Sequence, residues 1–338
     1  MNKSEFSSSY ANYFSSFLNN KRNRGYICNT MYRHLLRFDT YLNMNCSNKQ
    51  YITEEDCQGF IRELSRTNNN KSIRDIICTI SQFSKYLCEL GIESYVPRVP
   101  KREKSGYQAY IFTNKEIEDL FSAADNYILS RRLHPSVMFI MPALLRTLYS
   151  TGMRINEALS IKNKDVKFDK HVFVLNKTKN GHQRVAPINN SLEVVLKQYL
   201  VYRNKIKIPD IEASDKPFFV NTLGKSPNSG VVYSAFRQLL RIANIKYLGN
   251  HKGPHLHSIR HTACIHAMQK LIDSGMDMYC CIPILSTFIG HKQVSDTQQY
   301  IRLTQEVFPS ILEKDRSINR SIANVIAYAI INSENDEE

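Results

Sequence analysis

Several things are missing from this 338-residue chain, and each absence closes a route. It has no Trp and only 12 Gly and 11 Pro, with 42% apolar residues, a globular composition rather than a fibrous or disordered one. Its 8 cysteines form no CxxC pair, so neither a disulfide framework nor a zinc-finger spacing is present. Reduced, mostly buried thiols are expected instead. No stretch stays apolar for the roughly 18 residues that a membrane helix needs. The polar start, Met1 to Phe6, leads into no apolar run of the kind a secretory leader requires. There is no Gly-rich GxxxxGK[ST] loop and no HExxH, so nucleotide hydrolysis and zincin chemistry lack their usual signatures.

What is abundant is positive charge. Lys and Arg number 45 against 31 Asp and Glu, a net charge of +14, and the excess is spread over both halves. Such a balance suits a protein that surrounds a polyanion, although charge alone speaks only to non-specific binding.

The first hundred residues read as four helices. Tyr10, Tyr13, Phe14, Phe17 and Leu18 recur at helical spacing, as do Met31, Leu35, Leu36, Phe38 and Leu42. A third helix carries Phe60, Ile61 and Leu64, with Thr53 as N-cap and Asp56 three residues on. A fourth runs from about Ser72 to Leu90 and closes at Gly91. Residues 97–106 hold two prolines, five charges and a Gly, and read as a basic linker. Beyond it, Thr113 to Glu116 looks like a capped helix start, and Val137 to Tyr149 like a buried helix. Residues 171–175 and 184–188 are short β-type runs joined by a basic, Gly-containing tip with Lys177 and Lys179. The stretch from Arg316 to Ile331 carries an amphipathic stripe, and the tail from Ser333 is acidic.

Four short motifs carry candidate chemistry. TGMRINEAL at 151–159 places Arg154 just after a Gly, where, taken alone, it reads first as a plain helix-start Arg paired with Glu157. HLHSIRHT at 255–262 puts His257 and Arg260 on one helix face. His251, His255, His257 and His261 lie close in sequence, which raises a metal site, yet no acidic partner accompanies them. IGHKQVSDTQQYIR at 289–302 holds His291 and, nine residues later, Tyr300. The fourth is KTKNGHQRVAPI at 177–188.

In this order and spacing, over residues 5 to 310, the motifs resemble those of the tyrosine recombinase (phage integrase) family, in a mobile-element integrase or transposase-like form. The segment Met276 to Pro283 looks longer than in chromosome-dimer-resolving members, which favours that form. The resemblance implies a mainly α fold with a small β-sheet or hairpin. A four-helix core-binding (SAM-like) domain at 1–96 would be followed by a linker at 97–110, an α+β catalytic domain at 111–312, and a C-terminal helix and tail at 313–338. It implies a site-specific DNA recombinase that works through a 3′-phosphotyrosine intermediate without metal, ATP or other cofactor. The carried-over residues are Arg154 and Arg260 as phosphate-binding guanidiniums, His257 as proton acceptor, His291 as phosphate donor, Lys179 (rather than Lys177) as general acid, and Tyr300 as nucleophile. The expected partners are double-stranded DNA and three further copies of the chain, four protomers on two duplexes joined through the C-terminal helix, with room for accessory proteins. No membrane partner is implied, and the expected location is the bacterial cytoplasm, on the nucleoid. Type IB topoisomerase chemistry, a non-catalytic DNA-binding regulator and a metal-dependent hydrolase stay open at this level.

Overall fold

The structure, a computed structural model, describes residues 6–45, 51–101, 109–127, 137–176, 183–249, 253–290, and Thr297 and Tyr300. The chain divides into two compact units, Met1–Tyr107 and Gln108–Glu338.

The first unit is built from α1 (Ala11–Asn23), α2 (Asn29–Asn45), α3 (Glu54–Ser65) and α4 (Asn70–Glu89). The apolar periodicity has done its work: Phe14, Phe17, Phe38, Phe60 and Phe83 all lie buried between the helices. Phe14 packs on Phe83 with ring centroids 4.3 Å apart, and Phe38 on Phe60 at 5.0 Å. Helix starts follow capping chemistry. Thr53 and Asp56 form a reciprocal capping box at α3, and Asn69 accepts from the Ser72 amide to open α4. The buried Asp39 accepts from the amides of Ser7 and Ser8 at 2.8 and 3.0 Å, which fixes the entering chain. The first residues of the proline-containing strap lie on this unit. Val99 packs on its core, and Arg74 Nε donates to the Pro100 carbonyl at 3.0 Å.

The second unit opens with α5 (Asn114–Asp125), capped by Thr113 and Glu116 as expected. The apolar run from Val137 is not one helix. A 3-10 turn, Met138–Ile140, leads into α6 (Met141–Thr151), because Pro142 occupies the first helical turn, where its missing N–H is harmless. Helix α6 is the centre of the unit, buried along Met141, Ala143, Leu144, Leu145 and Leu148, and it packs against α5, α8 and α10. A five-residue helix, α7 (Ile155–Leu159), follows. The antiparallel sheet runs β1 (Val166–Lys167), β2 (Val172–Leu175), β3 (Arg184–Pro187), in that spatial order. Phe173 pairs with Ala186 and Leu175 with Arg184, so Phe173, Leu175 and Ala186 alternate onto the core. The hairpin agrees with the sequence reading; the two-residue β1 was not foreseen.

Four further helices follow among the described residues: α8 (Asn190–Asn204), α9 (Ser229–Ile242), α10 (Leu256–Asp273) and α11 (Met278–Ile289). Helices α10 and α11 form a hairpin whose own small core holds Met268, Met278, Cys281, Ile282 and Leu285. Pro283 lies inside α11. Gly290, at φ +66°, ends it in the left-handed region. The architecture is thus mainly helical with a small sheet, as the sequence led us to expect. No described helix is long and apolar enough to cross a membrane.

Candidate active site

Arg154 owes its placement to backbone turns. Gly152 closes α6 at φ +58°, and a Cβ there would stand 3.2 Å from Ile289 Cγ2. Two residues on, Arg154 is the extended N-cap of α7 (φ −75°, ψ 148°). Its amide donates to Glu157 Oε2 at 3.0 Å and its Nη1 to Oε1 at 2.8 Å. The bland helix-start pairing read from the sequence is therefore present, and its consequence is to hold the guanidinium rigidly.

Glu157 is only 2% exposed and serves a second cation. Arg184, the first residue of β3, donates from Nη2 to Glu157 Oε2 at 2.9 Å and from Nη1 to the Phe288 carbonyl at 2.9 Å. Burial alone would raise the Glu157 carboxyl. The Arg154 amide, and then the two guanidiniums, outweigh it and hold the group below the usual carboxylate range. Arg184 also explains the Gly that precedes His291. A Cβ on Gly290 would meet Arg184 Cδ at 2.5 Å and Nε at 2.7 Å.

Arg260 points from α10 into the same region. Its Nη1 donates to the Gly152 carbonyl at 2.6 Å and its Nη2 to the Ile289 carbonyl at 2.8 Å. One guanidinium thereby ties the turn before Arg154 to the turn before His291. Burial, and next the positive charge of Arg154, lower its pKa. An arginine keeps its proton even so. Arg154 and Arg260 repel each other, and an anion bound between them would relieve that repulsion.

Tyr300 completes the arrangement. It is 1% exposed, packed among Cys264, Ile265 and Ile289, and its hydroxyl lies 3.1 Å from His261 Nδ1. The hydroxyl also interacts with the Cys264 thiol and the Arg260 guanidinium. Burial, then the thiol, push the phenol above its ordinary pKa, while Arg260 pulls the other way. The structure therefore sets Arg260 beside both Arg154 and Tyr300, residues from distant parts of the chain.

His257, one turn before His261 on α10, is exposed, and the two imidazoles meet edge to face at 4.7 Å. His255 caps α10 and bonds Ser258. Among the described residues, no group of three or more His, Cys, Asp or Glu is placed to hold a metal ion. Lys177, Lys179 and His291, like the expected C-terminal helix at 313–338, lie outside the described residues. Sequence reasoning gave no site role to Arg184, which served only to locate Lys179, and weighed His261 only as a metal ligand. The adjacency of His261 to Arg260 was the signal available for the second; nothing in the sequence signalled the first.

Comparison with known proteins follows the same lines. Residues 110–306 match the phage integrase family. The chain is 25% identical over 304 residues to a protein of Sinorhizobium fredii named as an integrase/recombinase, covering 88% of this chain and 94% of that one. It is 24% identical over 289 residues to the tyrosine recombinase XerA of Pyrococcus horikoshii, covering 85% and 89%. Among solved structures, the post-cleavage complex of XerH recombinase with its DNA substrate superposes with a TM-score of 0.61 at 20% identity, over 86% of this chain and 79% of that one. The Tn1549 transposon integrase with circular-intermediate DNA gives 0.61 at 16% identity, over 85% and 94%.

Proposed function

The chain belongs to the phage integrase family and is a site-specific DNA recombinase, and from that premise we propose how its residues divide the work. Tyr300 attacks the backbone phosphate and becomes joined to its 3′ side, releasing a 5′-hydroxyl. The attack spreads negative charge over the non-bridging oxygens, with entering and leaving oxygens in line. Arg154 and Arg260 bind those oxygens as planar, permanently charged forks. Glu157 and Arg184 hold Arg154 in place from behind. His257, exposed on the face of α10 that carries Arg260, and His291 donate to the same phosphate. Lys179, between β2 and β3, protonates the departing 5′ oxygen. Bond energy is kept in the phosphotyrosine, so rejoining needs no ATP, and the guanidiniums take the part that a divalent metal plays in many nucleases.

The observation that supports this reading is that Arg260 has both Arg154 and Tyr300 as electrostatic neighbours. Its test is a duplex bearing the terminal sequence of the element that encodes the chain, nicked so that the cleaved end diffuses away. In EDTA and without ATP, the protein is expected to accumulate as a covalent DNA complex. Adduct formation that needs a divalent ion or a nucleotide contradicts the reading.

The similarity to the transposon integrase and to the Sinorhizobium relative supports service to a mobile element, integrating or excising it. Assembly would place four protomers on two duplexes. The stripe Ile318, Ile322, Val325, Ile326 and Ala329 would seat on a neighbour. An open cleft of about 440 Å³, lined by Phe121, Leu192, Val195, Ala263, Ala267 and Phe288, offers a receiving surface, and Lys270 beside it matches the acidic tail. A chain cut after residue 312 should bind single sites yet form no synapse.

A further inference from the structure

We infer that His261, and not His257, takes the proton from Tyr300 during strand cleavage. The proposal rests on Tyr300 being the nucleophile and adds the identity of its base.

A general base must reach the proton it removes, within about 2.6–3.2 Å between heavy atoms; geometry comes before basicity. His261 Nδ1 lies 3.1 Å from the Tyr300 oxygen. Three α10 side chains surround the phenol: His261 is hydrogen-bonded to its oxygen, Cys264 packs against it, and Arg260 acts on it electrostatically. They stand at adjacent positions and one turn apart, so one helix face surrounds the hydroxyl. Their chemistries differ. A guanidinium has no acceptor lone pair to give. The Cys264 thiol is fully buried, its pKa pushed up by that burial to about 11, and it stays protonated at neutral pH. Of these three, only the imidazole can receive a full proton.

In the tautomer with its proton on Nε2, the His261 ring presents the Nδ1 lone pair to the Tyr300 hydroxyl, 3.1 Å away. That tautomer is the one ready to act. His257 is placed differently. It is exposed to solvent, and its ring meets that of His261 edge to face. On the same helix face as Arg260, it suits the phosphate.

The step balances. The O–H bond of Tyr300 breaks and its proton moves to His261 Nδ1. The phenolic oxygen bonds to phosphorus. The P–O5′ bond breaks, its electron pair leaves with the deoxyribose oxygen, and Lys179 supplies that oxygen with a proton. Religation runs the same transfers backwards.

The test uses the full chain and the nicked duplex described above, with adduct formation followed in time. Asn at 261 places a carboxamide oxygen near the position of Nδ1, so His261→Asn can keep the hydrogen bond but cannot take a proton. DNA binding reports that the variant is folded, and His261→Gln replaces it if it does not bind. Cleavage should slow by about 100-fold, the lower end of general-base contributions. Trifluorotyrosine at position 300 is more acidic and needs less help from a base. It should restore much of the rate lost in His261→Asn and little of that lost in His257→Asn. A merely structural histidine would show no such rescue. The proposal fails if His261→Asn cleaves within threefold of the wild type, or if rescue appears in His257→Asn instead. A wild-type protein that forms no adduct points to the underlying reading, not to the choice of histidine.

Discussion

Arg184 donates from Nη2 to Glu157 Oε2 at 2.9 Å across 27 residues of sequence, and the same carboxylate holds Arg154. A strand residue and a catalytic candidate are thus coupled through one buried anion. Removing the anion leaves two guanidiniums facing each other without compensation. Breaking a buried charge pair from one side typically costs ~3–5 kcal/mol. Arg154 is 24% and Arg184 13% exposed, so solvent will soften this, and Glu157→Ala is expected at the lower end. Urea denaturation at neutral pH measures it; a loss below about 1 kcal/mol would show that the network is ornamental to stability.

The acid limb of stability should carry the signature of Glu157. Its folded-state pKa is depressed, so its contribution is complete above the ordinary glutamate value of 4.5 and disappears as pH falls through the lower folded value. The wild type should therefore lose stability more steeply below pH 4.5 than Glu157→Gln, which starts lower but falls more gently. Parallel denaturation midpoints for the two proteins from pH 7 to pH 3 would rule this out.

Gly290 and Gly275 both sit at positive φ, but only one is crowded. A methyl group on Gly290 meets Arg184 at 2.5 Å, while one on Gly275 meets nothing within 4 Å. Gly275→Ala should cost only backbone strain, about 1 kcal/mol. Gly290→Ala adds displacement of Arg184 and should cost ~2–3 kcal/mol, with a fall in cleavage rate that Gly275→Ala does not share. Thermal denaturation and adduct formation on the two variants decide it.

Arg154→Lys and Arg260→Lys should separate binding from catalysis. A point charge can hold a phosphate but cannot fork two of its oxygens. Cleavage should fall by roughly 100- to 1000-fold, as when one preorganised transition-state donor is lost. DNA affinity, set by many phosphate contacts, should change by less than about tenfold. Equal losses in both quantities would argue that these arginines only bind.

Much of this was legible in the sequence because local rules dictated it. Thr53, Asn69 and Thr113 cap helices as their side chains demand, and the phenylalanines of the first unit fall at helical spacing. Strand alternation around Phe173 and Ala186 gave the hairpin. Ordered motifs gave the family, and with it Arg154, Arg260 and Tyr300. What the sequence withheld were relations set by tertiary packing. That Arg184 reaches both Glu157 and the Phe288 carbonyl depends on β3 lying beside the end of α11. That His261 rather than His257 faces the phenol depends on how α10 is rotated, a difference of one turn that spacing alone cannot resolve. The break at Pro142 and the short β1 are likewise local outcomes that apolar periodicity does not encode.

The central claim concerns one bond. Protease digestion of the covalent complex, followed by mass spectrometry, identifies the residue that carries the DNA. The account predicts a single peptide in which Tyr300 bears a 3′-linked nucleotide phosphate, and no adduct at all with Tyr300→Phe. DNA attached to any other side chain, or an undiminished adduct in the Phe variant, contradicts it.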